Sequence, residues 1–124
     1  MTTTLSFHDV EAQHLSEGEL NALPFGAIKL DAEGRILFYN VYESTLTAVK
    51  PEEAVGKNFF TEVAPCTNVQ GFYGRFQEGV AQKNLHTSFN YTFTHKMAPT
   101  DVNIRMSYDA AQEAVWVFVR KRDA

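Results

Sequence analysis

The sequence predicts an α+β domain that is built on one antiparallel sheet of five strands. Two apolar runs, residues 26–30 and 35–39, begin the predicted sheet, and three more strands follow a helical middle section. The last strand, residues 115–119, is apolar on both sides, which is typical of a central strand with cover on both faces. A chain of 124 residues is long enough for one domain that buries a core of its own.

The first 25 residues differ from the rest, and we expect them to form an N-terminal helical cap on a core that spans residues 26–124. Residues 6–13 predict one or two helical turns. Ser16, followed three positions later by Glu19, forms a capping box that predicts a second helix, and Pro24 ends it. These helices are short and carry few apolar side chains, so we expect the cap to be the first part of the chain to detach.

The core begins with a predicted hairpin and continues into a run of short helices. The turn between the first two strands, residues 31–34, ends in Gly34, which suits a tight connection. Residues 40–66 predict broken helical turns, because proline and glycine interrupt them. Pro51, followed by two acidic residues, predicts the start of a helix.

One longer helix and three strands complete the predicted fold. Phe72, Phe76 and Val80 fall on one face of a helix that should run to about residue 84. Apolar and polar residues then alternate over residues 89–94 and 102–108, so one face of each of these strands is expected to be buried.

Charge and cysteine content exclude several classes of protein. Eleven Lys and Arg residues against fifteen Asp and Glu residues give a formal net charge of −4, which does not suit binding to a nucleic-acid backbone. Cys66 is the single cysteine, so no internal disulfide can form, and the four histidines lack the paired spacing of a zinc site. No apolar stretch approaches the roughly 20 residues of a membrane span. We therefore expect a soluble, cytoplasmic, monomeric protein that binds neither nucleic acid nor membrane.

Three residues are candidates for chemistry. Cys66, in a loop before the longer helix, is either a buried thiol that acts as a small hydrophobe or a nucleophile that holds an acyl group. Tyr39 and Glu43 lie four residues apart, so both can face one cavity if a helix begins at residue 40. The competing interpretation places the Tyr39 ring in the core with its hydroxyl at the surface, and Glu43 in solvent.

Several runs of residues resemble the photoactive yellow protein family. The most specific part of the resemblance is the combination of GKNFF at residues 56–60 with APC at residues 64–66. Further matching runs are LPFGAI at 23–28, ILFYN at 36–40, FYGRF at 72–76, YTF at 91–93, MAPT at 97–100 and WVFV at 116–119. The resemblance covers nearly the whole chain and implies the PAS fold, which matches the predicted order of strands and helices.

The resemblance implies a blue-light photoreceptor rather than an enzyme. In this family the cysteine carries p-coumaric acid (4-hydroxycinnamic acid) as a thioester, so Cys66 would be the attachment site. Tyr39 and Glu43 would each donate a hydrogen bond to the deprotonated phenol, and Thr47 would support the Tyr39 hydroxyl. The positions that match the wall of the family's pocket are Phe59, Val63, Ala64, Phe93 and Met97, with His95 at the pocket mouth, and Met97 is associated with thermal return to the dark state.

The resemblance also implies how light becomes a signal. Blue light isomerises the coumaroyl double bond from trans to cis, and Glu43 then passes its proton to the phenolate. This transfer leaves a buried carboxylate without its partner, which is a costly state. The N-terminal cap is expected to unfold in part, and an unknown downstream signalling protein would respond to that change.

Several positions depart from the family pattern. Val49 stands where well-known members have an arginine that shields the chromophore ring. Ser44 and Ala48 replace two glycines, which should stiffen the helix that carries Glu43. His95 replaces an aromatic residue, and we expect it to make colour or recovery rate depend on pH between about 5 and 8, where histidine ordinarily changes its charge.

Two other functions compete with the photoreceptor. The first is a chromophore-free PAS sensor or interaction module that uses Cys66 only structurally. A colourless module of this kind has no need of Cys66, Tyr39, Glu43 and Thr47 together, which argues against it. The second is a small cysteine-dependent thioesterase, which would require a general base that the sequence does not reveal.

Overall fold

A five-stranded antiparallel sheet is the centre of the structure, a computed structural model that describes Phe7, residues 11–94 and residues 99–122. The strands are β1 (Gly26–Leu30), β2 (Ile36–Tyr39), β3 (His86–Phe93), β4 (Thr100–Asp109) and β5 (Ala114–Lys121). Their order across the sheet is β2-β1-β5-β4-β3, and every neighbouring pair is antiparallel. The predicted α+β class and strand number are confirmed.

Strand β5 lies in the middle of the sheet and is buried on both sides, as its sequence predicts. Val115, Val117 and Val119 belong to the main core on one face. Trp116 and Phe118, which alternate with them, belong to a second cluster on the opposite face. β5 pairs with β1 along one edge and with β4 along the other, so it joins the two halves of the sheet.

Short helices and turns cover one face of the sheet. The helices are α2 (Val41–Thr47), α3 (Pro51–Ala54) and α4 (Arg75–Gln82), and a wide π-helical turn at Phe59–Val63 and a 3₁₀ turn at Pro65–Thr67 lie between α3 and α4. Four buried aromatic rings from this layer, Phe59, Phe60, Phe72 and Phe76, pack into the main core. The predicted broken turns and the helix start at Pro51 are both confirmed.

The regular helix α4 is shorter than the spacing of Phe72, Phe76 and Val80 predicts. A π-helical turn at Gln70–Gly74 carries Phe72, and the regular helix α4 follows it. At the other end Lys83 adopts a left-handed conformation with φ 53°, which ends the helix before residue 84. Phe72 and Phe76 are both buried, so the predicted apolar face is retained.

The N-terminal cap covers the other face of the sheet. Its described part consists of Phe7, a 3₁₀ turn at Ala12–His14 and helix α1 (Glu17–Asn21). The predicted capping box is present, because the Glu19 amide donates to Ser16 Oγ (3.2 Å) and the Ser16 amide donates to Glu19 Oε1 (3.0 Å). Of the predicted helical turn at residues 6–13, residues 6 and 8–10 lie outside the described residues.

The cap and the sheet share the second apolar cluster. Its buried members are Phe7, Ala12, Leu20, Leu23, Phe25, Ala27, Trp116 and Phe118. The alternation in β4 predicts one buried face only, but the cap also covers part of the other face, where Arg105 is 7% exposed. The cap therefore buries more apolar surface than its sequence suggests.

Candidate functional site

A cavity of about 330 Å³ lies beside α2, on the side of the sheet that carries the main core. The residues that line it are Tyr39, Glu43, Thr47, Ala48, Val49, Glu53, Phe59, Val63, Ala64, Cys66 and Phe93. The fold thus brings together eight of the residues that the sequence analysis assigned to a chromophore pocket. Two others, His95 and Met97, lie outside the described residues. A cavity of this volume suits a small organic ligand.

Helix α2 is fixed at its start by Asn40, a fully buried side chain with four hydrogen bonds. Asn40 Oδ1 accepts from the amides of Glu43 (3.1 Å) and Ala27 (2.9 Å). Asn40 Nδ2 donates to the carbonyl oxygens of Leu20 (2.8 Å) and Phe25 (3.1 Å). The first of these bonds caps α2, and the others tie the helix to β1 and to the N-terminal cap. The position of Glu43 is therefore linked directly to the cap.

Glu43 is fully buried and lines the cavity. Neither carboxyl oxygen has a hydrogen-bond partner among the residues that the structure describes. Burial raises the pKa of Glu43 from 4.5 to about 8, so the carboxyl group is predominantly protonated at pH 7. The backbone of Gly26 approaches so closely that a Cβ added there would overlap Glu43 Oε1. A neutral acid, able to donate one hydrogen bond, is thus held at the cavity wall.

Tyr39 and Thr47 form a hydroxyl pair beside Glu43. The Tyr39 and Thr47 hydroxyl oxygens are 2.7 Å apart, and Thr47 Oγ1 also lies 2.9 Å from the Glu43 carbonyl oxygen, to which it donates. Burial, and to a smaller extent the negative charge of an ionised Glu43, raise the pKa of Tyr39 above its ordinary value, while the hydrogen bond between Tyr39 and Thr47 opposes this rise. Tyr39 therefore keeps its proton and can donate it in a hydrogen bond.

Cys66 lies in the 3₁₀ turn Pro65–Thr67 and is half-buried at the cavity. The turn is held by Thr67 Oγ1, which donates to the Ala64 carbonyl oxygen (2.6 Å), and by the Tyr91 hydroxyl, which donates to the Cys66 carbonyl oxygen. Burial and then the charge of Cys66 raise the pKa of Tyr91. The thiol thus lies on an anchored turn with access to the cavity, where it can act as a nucleophile.

Three residues at the site, Ala48, Glu53 and Tyr91, were not predicted from the sequence. Ala48 follows Thr47 directly, and Glu53 lies on α3, where its acidic character indicated only a helix start. The alternation in β3 predicted that Tyr91 faces inward but not that its hydroxyl reaches the Cys66 loop. Only the folded chain shows this contact, because 25 residues separate the two.

Two of the departures from the family pattern occupy the cavity wall. Val49 lines the cavity, and among the described residues no Lys or Arg does so. Ala48 was expected to stiffen α2, but it lies just beyond the helix in a left-handed conformation with φ 62°. That expectation is wrong for Ala48, because a Cβ is unfavourable in this conformation and glycine would suit it better.

The part of the chain that the structure describes contains neither a metal-binding cluster nor a membrane-spanning helix. There, no group of three or more His, Cys, Asp or Glu side chains could hold a metal ion. Over the same residues, no helix combines the length and apolar character that a membrane crossing requires.

Comparison with known proteins identifies close similarities over most of the chain. The family model described as the PAS fold matches residues 16–122. Photoactive yellow protein from Halochromatium salexigens is 47% identical over 108 residues, which cover 87% of this chain and 86% of that protein. Photoactive yellow protein from Rhodothalassium salexigens is 42% identical over 107 residues, which cover 86% of each chain.

A solved structure shows the same similarity in three dimensions. It is the photoactive yellow protein domain of the sensor histidine kinase Ppr from Rhodospirillum centenum, with 46% sequence identity and a TM-score of 0.84. The match covers 88% of this chain and 96% of that domain. The similarity therefore extends to sequence and fold together.

Proposed function

The chain belongs to the photoactive yellow protein family of PAS-fold proteins, and from this membership we propose that it is a blue-light photoreceptor with p-coumaric acid bound as a thioester to Cys66. Its relatives are photoreceptor or sensor proteins, which imply a chromophore. The proposal adds the identity of that chromophore, its attachment and the role of each pocket residue.

One observation carries the proposal: Glu43 and Cys66 line the same cavity, and the buried Glu43 carboxyl group has no hydrogen-bond partner among the described residues. A buried polar group without a partner is costly, so a ligand that supplies an acceptor would stabilise the site. A phenolate oxygen is such an acceptor, and the neutral Glu43 is the donor it requires. The aromatic walls at Phe59 and Phe93 suit a planar ring.

Attachment is an acyl transfer to the thiol of Cys66. The sulfur attacks the carbonyl carbon of an activated p-coumaroyl donor, a C–S bond forms, and the bond to the leaving group breaks. The thiol proton leaves with that group or passes to solvent. The cavity also contains the groups that would hold the far end of the acyl chain, namely Tyr39, Glu43 and Thr47.

In the dark, the pocket residues hold protons near one buried negative charge. Glu43 donates from its carboxyl group, and Tyr39 donates from its hydroxyl. For Tyr39 to do so, its hydroxyl turns away from Thr47, and Thr47 turns its own proton from the Glu43 carbonyl to Tyr39. The remaining pocket residues, Val63, Ala64, His95 and Met97, would complete the wall and mouth around the ring.

The bound group supplies absorption of blue light and a trans-to-cis isomerisation that disturbs its hydrogen bonds to the protein. Glu43 would then pass its proton to the phenolate oxygen, which would leave a carboxylate where burial disfavours the charged form. The resulting change in the position of Glu43 would reach the N-terminal cap through Asn40. This side chain accepts a hydrogen bond from the Glu43 amide and donates one to the Leu20 carbonyl oxygen. The cap unfolds in part, and a downstream signalling protein in the cytoplasm detects the change.

Reconstitution of the full chain with an activated p-coumaroyl donor tests the proposal. We expect the mass of one coumaroyl group to be added, a visible absorption band to appear, and blue light to bleach it reversibly. Cys66→Ala should prevent both the added mass and the colour. Glu43→Gln should move the absorption band to the red, because an amide is a weaker donor to the phenolate than a carboxylic acid.

Two other results would replace this proposal with a competing function. A chain that stays colourless and unmodified indicates a chromophore-free PAS sensor or interaction module. Free p-coumaric acid that accumulates over many turnovers, and that depends on Cys66, indicates a thioesterase. A stable adduct that never bleaches would show attachment without a photoreceptor function.

A further inference from the structure

The charge of the chain is distributed unevenly between the N-terminal cap and the rest. All eleven Lys and Arg residues follow residue 25, whereas four of the fifteen Asp and Glu residues precede it, namely Asp9, Glu11, Glu17 and Glu19. The cap therefore carries the whole formal net charge of −4, and residues 26–124 are formally neutral. The three of these acids that the structure describes, at positions 11, 17 and 19, are exposed.

The sheet face beneath the cap carries cations that lie over aromatic rings. Lys29 Nζ is 5.7 Å from the centre of the Trp116 ring, and the Arg105 guanidinium is 5.0 Å from that of Phe118. The Arg120 guanidinium is 4.6 Å from the centre of the Phe7 ring, which belongs to the cap. The face thus combines apolar surface with positive charge, a combination that favours an acidic amphipathic segment.

Two acidic residues on the same side of β4 accept hydrogen bonds from neighbouring groups, although Asp109 Oδ2 has no partner among the described residues. Asp101, near the start of the strand, accepts from Thr92 Oγ1 (2.7 Å). Asp109, at its other end, accepts through Oδ1 from the amides of Ala111 (3.1 Å) and Gln112 (3.3 Å). The face thus carries three cations, at positions 29, 105 and 120, beside these two acidic residues.

The cap occupies this face through aromatic and leucine side chains. Phe7 packs edge-on against Phe25, with ring centres 5.4 Å apart, and Phe25 packs against Phe118 at 6.0 Å. Leu20 and Leu23 are buried beside them. A groove of about 260 Å³ nevertheless remains between the cap and the sheet. Trp116, which lines that groove, has a buried Nε1 without a partner in the described part of the chain, so the cap does not use every group the face offers.

We infer that this sheet face is the binding site for an acidic amphipathic segment of the signalling partner. Like the cap, that segment would combine apolar side chains with carboxylates. Aromatic and leucine side chains of the partner would replace Phe7 and Leu20, and its carboxylates would lie near Lys29, Arg105 and Arg120. The cap then acts as an internal competitor that occupies the face in the dark. This inference rests on the proposed function, because release of the cap by light is what exposes the face.

A fluorescein-labelled synthetic peptide with the sequence of residues 1–25 serves as the probe. It is added to three samples of the full chain: the unloaded chain, the chromophore-loaded chain under blue light, and an unloaded Phe7→Ala/Leu20→Ala variant whose own cap is weakened. Trp116 is the single tryptophan and lies on the face, so its emission reports both release of the cap and arrival of the peptide. A second peptide has lysine at positions 9, 11, 17 and 19.

We expect the acidic peptide to bind the illuminated chain and the cap-weakened variant, and to shift the Trp116 emission to the blue in both. The lysine peptide should bind at least about tenfold more weakly, because several charge pairs are reversed together. Arg120→Gln and Lys29→Gln, each made in the cap-weakened variant, should weaken binding about threefold or more, and added salt should do the same. Lys57→Gln, which removes an exposed charge elsewhere, is the matched control and should change nothing.

The cap-weakened variant needs neither chromophore nor light, so it separates this inference from the proposed function. Binding there, but none to the illuminated chain, supports the inference and contradicts light-driven release of the cap. Equal binding of both peptides, or binding that Arg120→Gln leaves unchanged, overturns the inference. It is also overturned if the peptide fails to bind while the cap-weakened variant dimerises in sedimentation, or while anionic phosphatidylglycerol vesicles shift its Trp116 emission.

Discussion

The stability of the chain without a ligand should decrease as the pH rises from about 5 to about 8, and Glu43 should be the cause. In the unfolded chain Glu43 titrates near its ordinary pKa of 4.5, whereas burial raises the pKa in the folded chain to about 8. Between these values the folded state holds a proton that the unfolded state has lost. The contribution of protonated Glu43 to the free energy of unfolding is therefore fully present below the pKa of Glu43 in the unfolded chain. It is lost as the pH rises through the pKa of Glu43 in the folded chain.

The size of the effect follows from the difference between the two pKa values. One pKa unit corresponds to about 1.4 kcal/mol, so a rise from 4.5 to about 8 corresponds to about 5 kcal/mol over the whole window. This is a large part of the roughly 5–15 kcal/mol by which a domain is usually stable. The effect should therefore be visible in an ordinary unfolding experiment.

Urea unfolding of the wild-type chain and of Glu43→Gln, both without chromophore, measures this contribution. Glutamine has nearly the same shape and does not titrate, and all other titratable groups are common to the two chains. The difference between their free energies of unfolding should therefore change by about 1.4 kcal/mol per pH unit in the middle of the window, in favour of Gln at high pH. Glu53→Gln, an exposed acid that lines the same cavity, should keep the wild-type slope. Parallel curves for wild type and Glu43→Gln would refute the reasoning.

Three further predictions follow from the backbone around the site. Asn40→Ala should lower the free energy of unfolding by about 3 kcal/mol, because it removes a helix cap and leaves several buried backbone groups unpaired, and it should speed amide hydrogen exchange in α1. Asn40→Ser, which can still cap α2, should be milder, and identical losses in the two variants would argue against the role of the amide group. Gly26→Ala should lower the free energy of unfolding in urea by about 1–3 kcal/mol, since its Cβ would overlap the buried Glu43 carboxyl group. Gly71→Ala, where nothing lies within 4 Å of the added Cβ, should lower it far less. Similar losses in the two variants would contradict the close approach of Gly26 to Glu43. Ala48→Gly should raise the free energy of unfolding by about 0.5–1 kcal/mol and so raise the thermal midpoint. Ser44→Gly, inside α2, should lower the free energy of unfolding by a similar amount. Changes of the same sign would show that the left-handed backbone at position 48 is unimportant.

Much of the fold could be predicted from local patterns. Alternation in β3 and β4 and the two-sided apolar character of β5 report burial directly, because side chains in a strand alternate between faces. The capping box at Ser16 and Glu19 is equally local and is present as predicted. The π-helical turn before α4 was not predicted, since the spacing of Phe72 and Phe76 fits both a regular and a widened helix.

The site could be predicted only in part, because its contacts join distant segments. The residues at 39, 43, 47 and 66 could be selected from motifs that resemble one family, and the fold brings all four to one cavity. The four bonds of Asn40 depend on backbone groups of the cap and β1, and no spacing rule predicts them. The prediction that Ala48 stiffens α2 is wrong for a different reason, because the helix ends at Thr47 and Ala48 lies outside it.

The central place of β5 has a consequence for how the protein is made. The β1–β2 hairpin and the β3–β4 pair do not contact each other as neighbours in the sheet; each is joined to the other only through Ala114–Lys121. A nascent chain therefore cannot complete its sheet until β5 has left the ribosome. Until then the edges of β1 and β4 that pair with β5 remain unpaired. Folding should consequently be slow and governed by distant contacts, and shortening the chain within this strand should abolish it rather than merely weaken it.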